Sequence, residues 1–167
     1  MNQRVLSWTL AIGLAVLLLF VVEQQLFGST PNPVFGMVAV RSGMGFFEPW
    51  ARYATVIVEL VAVALVLWPR TRARGALLSL VIAVGAIAFH LSPWLGMAVP
   101  RPDAVADAAR AGRTMAEIFA MPLPTDKGAM FLLALFIAVL SGVSMAVERA
   151  MAYAGAHKVK RPVGAFA

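Results

Sequence analysis

The sequence predicts an all-α, polytopic membrane protein: a four-helix transmembrane bundle carrying a short helix on its outer surface. Three observations point there. The 167 residues are 61% hydrophobic and only 13% charged, against roughly 45–50% and about 25% in soluble domains. The apolar residues gather in four runs of about 18 or more, each long enough to cross a hydrocarbon core of ~30 Å as a helix. The four tryptophans, Trp8, Trp50, Trp68 and Trp94, all fall at the predicted ends of these runs, where an indole places its apolar body in lipid and its N–H in the headgroup layer.

The first span is predicted over about 5–27. Its apolar stretch is too long for a secretory signal, and Glu23-Gln24-Gln25-Leu26-Phe27 offers no small-residue cleavage site. A loop follows from Gly28 to Pro49, punctuated by Pro31, Pro33 and Gly43-Met44-Gly45. The second span is about 50–68. A tight basic turn from Pro69 to Arg74 leads to the third, about 75–92, which stops where Pro93 restricts Ser92. The fourth is about 128–147, and a basic tail follows. In the connection before it, Pro102 suits a first helical turn and Asp103 a helix N-terminus. Val105, Ala109, Gly112, Met115, Ala116 and Phe119 then recur at near-helical spacing, so a helix over about 102–121 is expected to lie on, or cap, the outer end of a single transmembrane domain.

The net charge of +6 is explained by topology rather than by nucleic-acid binding. If the Arg70-Thr71-Arg72-Ala73-Arg74 turn is cytoplasmic, both termini are as well. That side then carries Arg4, Arg70, Arg72, Arg74, Arg149, Lys158, Lys160 and Arg161 against Glu148 alone. On the other side Arg41, Arg52, Arg101, Arg110, Arg113 and Lys127 are balanced by Glu23, Glu48, Asp103, Asp107, Glu117 and Asp126. Such asymmetry across short loops orients a membrane protein with its positive side inward. The expected location is therefore the bacterial cytoplasmic (inner) membrane, crossed several times.

Cysteine is absent, which excludes disulfides, thiol catalysis and iron–sulfur ligation by this chain alone. One membrane histidine and a remote His157 do not make a bis-histidine haem site, so no metal is assigned. Methionine sulfurs are scattered, and no glycine pattern matches a phosphate-binding loop.

Polar residues within the spans carry whatever chemistry there is. Glu59 lies about eight residues below the start of the second span, roughly 12 Å from its outer end at 1.5 Å per residue. An ionised carboxylate at the centre of a span costs about 2.5–3.5 kcal/mol on insertion scales, so Glu59 faces the bundle, is paired, or is protonated. Arg52 and Thr55 extend a polar stripe above it. Ser79, Ala83 and Ala86 make a small-residue packing face on the third span, and His90 ends that face near the outer headgroups. Glu23, late in the first span, reaches a similar depth. Glu23, Arg52, Glu59 and His90 are expected to meet as one polar cluster. It reads either as an internal clasp fixing helix register, which spacing alone favours, or as a proton-linked site in which Glu59 and His90 meet a quinone oxygen.

Several of these residues also carry a family resemblance. The glutamate of the second span, the Leu67-Trp68-Pro69-Arg70-Thr71-Arg72 turn, Gly75-Ala76-Leu77 and Gly85-Ala86-Ile87-Ala88-Phe89-His90-Leu91 resemble the DoxX-like family of small four-helix membrane proteins. So does the Glu23-to-Gly28 exit of the first span. The resemblance covers Glu23 to Gly96, a little under half of the chain. It implies association with membrane redox complexes, as for a subunit of an archaeal thiosulfate:quinone oxidoreductase, but supplies no universal catalytic residue. Two functions follow as expectations. One is a non-catalytic accessory subunit of a respiratory or photosynthetic electron-transport assembly, contacting lipid and other membrane subunits or a second copy of itself. The other is a quinone-reactive oxidoreductase subunit using Glu59 and His90; no cofactor is expected to be bound by this chain alone, quinone excepted. A small transporter is weaker, because no inverted repeat is detectable.

Overall fold

The computed structural model describes residues 3–159, with side chains described as far as Ala154. The basic tail, including Lys160 and Arg161, lies outside the described residues. Seven α-helices occur among those described: α1 (Gln3–Phe27), α2 (Pro33–Ser42), α3 (Trp50–Leu67), α4 (Arg72–His90), α5 (Pro102–Arg110), α6 (Met115–Ala120) and α7 (Ala129–Val159). A short 3-10 turn spans Gly45–Phe47. Four of them, α1, α3, α4 and α7, are long and apolar enough to cross a bilayer, and the chain is a multi-pass membrane protein.

The spans pack as a ring in which α1 touches α3 and α7, and α4 touches α3 and α7. Their shared core is built from small and β-branched side chains, including Ala11, Ala15, Ala62, Val66, Ala76 and Ala83. In a membrane there is little hydrophobic drive between helices, so close backbone approach takes over. Gly75 shows this most sharply: a Cβ there would lie 2.5 Å from the Val66 nitrogen. Of the predicted packing face, Ser79 and Ala83 are buried, while Ala86 is half-buried beside a cavity. Outward-facing Ile12, Val16, Ile57, Val81, Phe136 and Val139 are exposed, as a lipid-facing surface requires.

The largest departure from expectation lies between the spans. The segment read as a loop from Gly28 to Pro49 contains α2. Asn32 caps it, its side-chain oxygen accepting from the Val34 and Phe35 N–H groups; Pro33 fills the first turn, and Gly43 ends it at φ 72°. The single helix expected over 102–121 is two. Gly112 adopts φ 76°, a conformation that interrupts the helix, and Thr114 then starts α6 through a capping box with Glu117. Hydrogen bonds from the Thr114 N–H and hydroxyl hold the Glu117 carboxyl below the ordinary value of 4.5.

These short helices form a cap with its own core of Met37, Val38, Leu95, Val99, Val105 and Ile118. Asp126 fastens the cap to the bundle: it accepts from the Val99, Gly128 and Met130 N–H groups at 2.9–3.0 Å. The cap covers the end where α1 and α4 finish and α3 and α7 begin. The other end holds the α3–α4 turn.

Candidate functional site: a roofed cavity inside the bundle

Between the spans and the cap lies a cavity of about 440 Å³, within the range of small-molecule sites. Its walls are apolar, with Leu18, Ile82, Phe89, Leu133 and Ile137 among them, and Phe35, Val38 and Phe47 roof it from the cap. Exposed lining residues locate the mouth: Ala54 and Val58 on α3, Val81 and Gly85 on α4. A Cβ on Gly85 would meet nothing within 4 Å. Thus α3 and α4 touch tightly near Gly75 and leave a lateral opening toward lipid nearer the cap.

Glu59 lies at the cavity's polar floor, only 2% exposed. Its partner is Gln25 of α1, whose Nε2 donates to the two carboxylate oxygens at 3.1 and 2.9 Å. Gln25 is itself 7% exposed, and its Oε1 has no hydrogen-bond partner among the described residues. Thr55, one turn above, gives its hydroxyl hydrogen to the Ala51 carbonyl at 2.9 Å. The floor thus offers the Gln25 Oε1 as an acceptor and the second Nε2 hydrogen as a donor.

His90 lines the same cavity, with no hydrogen bond to Glu59 among the described residues. The His90 Nδ1 is 2.9 Å from the Gly96 carbonyl. That oxygen can only accept, so Nδ1 carries the hydrogen and a neutral ring leaves Nε2 as acceptor. The ring also meets Phe131 edge-on at 5.7 Å.

The expected four-residue cluster is not assembled. Arg52 pairs with Glu48 at 3.2 Å, one turn earlier, and lies over Tyr53 at 4.8 Å. Burial raises the Glu48 carboxyl above its ordinary value, while Arg52 and the Asn32 N–H pull it down. Glu23 is exposed and accepts from Gln24 at 2.6 Å. Helical geometry explains the substitution of Gln25 for Glu23, since two residues are about 200° apart around the helix.

A second polar assembly lies at the opposite end and was not expected. Arg72, counted as a loop cation in the sequence, is 3% exposed. Its Nε donates to the Val66 carbonyl at 3.0 Å, its Nη1 donates to Ser7, and Ser7 in turn donates to Glu148. The Arg72–Glu148 ion pair measures 3.5 Å, and the guanidinium stacks over Trp8 at 4.2 Å. This one side chain of α4 ties in the other three spans, α1, α3 and α7.

Fold and site together define a class: a four-span membrane protein enclosing an apolar, polar-floored cavity that opens sideways into the bilayer. No family model, curated protein or solved structure matches the chain.

Proposed function

We propose that this chain is a DoxX-like subunit of an electron-transport assembly in the bacterial cytoplasmic membrane, and that its cavity seats a quinone. The observation that carries this reading is the lateral, roofed cavity with Gln25 and Glu59 at its floor. A quinone is an apolar molecule with a hydrogen-bonding head, and it arrives from lipid, the side on which the mouth opens. The resemblance over Glu23 to Gly96 supports the same class of assembly. The exposed faces of the spans are apolar, so other membrane subunits, or a second copy, can dock on them. Both termini and the Arg70-to-Arg74 turn are cytoplasmic in this proposal, on the strength of the charge asymmetry. In a chain without native cysteine, Ala111→Cys should react with an impermeant thiol reagent on intact cells and Ala152→Cys should not; the reverse pattern would invert the topology.

A second reading, an accessory subunit with no ligand of its own, is favoured by the Gln25–Glu59 bond itself. That bond joins α1 to α3 and fixes their register whether or not anything occupies the cavity. Purification of the native complex in a gentle detergent separates the two. Quinone retained in proportion to this chain supports the first; partner subunits without quinone leave the accessory role.

A further inference from the structure

We infer that a second cavity, around Arg72 at the end opposite the cap, binds a phosphate group whose charge is not offset within its own molecule, such as an anionic phospholipid headgroup. The inference stands apart from the quinone reading, because it concerns other residues at the other end of the bundle.

That cavity measures about 300 Å³. Arg72 lines it and is 3% exposed. Its Nε and Nη1 are spent on the Val66 carbonyl and on Ser7, and Glu148 approaches Nη1. The buried Nη2 has no hydrogen-bond partner among the described residues. Leaving a buried cationic donor unanswered is unfavourable. The Trp8 ring covers a face of the guanidinium, whereas the Nη2 hydrogens lie in its plane. The stack therefore leaves them to an oxygen that arrives edge-on.

Charge selects the ligand. Arg4 and Arg72 line the cavity against Glu148 alone, and Arg70, Arg74 and Arg149 are exposed at the same end. An anion is favoured there, and the non-bridging oxygens of a phosphodiester only accept, which matches a donor in want of an acceptor. Position favours a lipid as its source. Trp8 and Trp68 are exposed at this end, as indoles are in a headgroup layer. Val5 and Ile12, one turn either side of Trp8 on the same helical face, are exposed as well and give acyl chains an apolar strip. Basic pockets between spans are ordinary receptors for such headgroups.

The full chain, purified in a mild non-ionic detergent, would be mixed with phosphatidylglycerol or with phosphatidylcholine, whose choline offsets its own phosphate. The lipid retained per chain would be measured by native mass spectrometry. The expected result is phosphatidylglycerol held about tenfold tighter, the usual weight of one hydrogen bond to a charged group. Arg4→Gln removes a cation from the lining and should cost about that factor. Arg74→Gln removes the same charge outside the cavity and should cost about twofold, because exposed charges are screened. Arg72→Lys keeps the charge, loses the Nη2 hydrogens and should weaken retention as Arg4→Gln does; should it fail to assemble, the comparison of Arg4→Gln with Arg74→Gln decides. Excess inorganic phosphate separates the sources. Without displacement the site belongs to the lipid, and with displacement the phosphate site stands and accepts free phosphate too. Equal retention of the two lipids, or equal losses in Arg4→Gln and Arg74→Gln, would overturn the inference.

Discussion

Glu148→Ala is expected to lower stability by about 3–5 kcal/mol, the usual cost of removing one partner from a buried ion pair. Arg72 is almost wholly buried, with Glu148 as its carboxylate partner. Ser7, which donates to Glu148 and accepts from Arg72, loses its acceptor as well. The remaining contacts, to the Val66 carbonyl and the Trp8 ring, hold the guanidinium in place without neutralising it. The buried charge is then left unpaired where α1, α4 and α7 converge. Glu148→Gln keeps an acceptor for Ser7 and should lose distinctly less. Thermal unfolding of the two variants in one detergent checks the order; equal stability to the unmodified chain for Glu148→Ala would contradict the network.

Gly75→Leu is expected to disrupt the α3–α4 contact by 1–3 kcal/mol or more, at about the upper end of overpacking costs. Any Cβ at this position meets the Val66 nitrogen at 2.5 Å and the Leu65 carbonyl carbon at 2.7 Å. These are backbone atoms and cannot rotate away, so the helices must separate. Gly85→Leu, ten residues on in the same helix, enters open space and should leave the melting temperature nearly unchanged. The pair of variants tests the shape of the α3–α4 interface, closed at one end and open at the other. Similar losses at both positions would contradict it.

The spans were legible in the sequence because lipid solubility is a bulk property of about twenty residues and tolerates errors of several positions. Even so, α4 starts at Arg72 rather than Gly75, and α7 extends well past Val147. The cap was only partly legible. Asn32-Pro33 and Gly43 mark the ends of α2 by ordinary capping chemistry, and Thr114-x-x-Glu117 announces the start of α6. Around the first, Pro31 and Pro33 give the segment the composition of a loop, and across the second the apolar spacing runs on through Gly112.

The polar site illustrates a different limit. Attention to charge identified Glu59 and His90 as residues of interest, and both line the cavity. The same attention favoured Glu23 over Gln25, although the neutral amide is the residue that faces Glu59. Arg52 had a nearer partner at i−4, Glu48, which helical spacing alone makes plausible. Arg72 was read by its place in a basic turn, and nothing local distinguishes it from Arg70 and Arg74. Its burial depends on Ser7 and Glu148, which are 65 and 76 residues away in sequence. Long-range pairings of this kind are set by the packed bundle rather than by local pattern.

Photolabelling tests the central claim, that the cavity rather than the outer face of the bundle receives the quinone, most directly. A short-chain azidoquinone would be irradiated with the chain in nanodiscs and the labelled peptides identified by mass. The expected adducts fall on the cavity lining, around Ala54 to Glu59 and Val81 to His90, and disappear under excess unlabelled quinol. Adducts spread over Ile12, Val16, Phe136 and Val139, which face lipid, and indifferent to competitor would contradict a quinone site in this bundle.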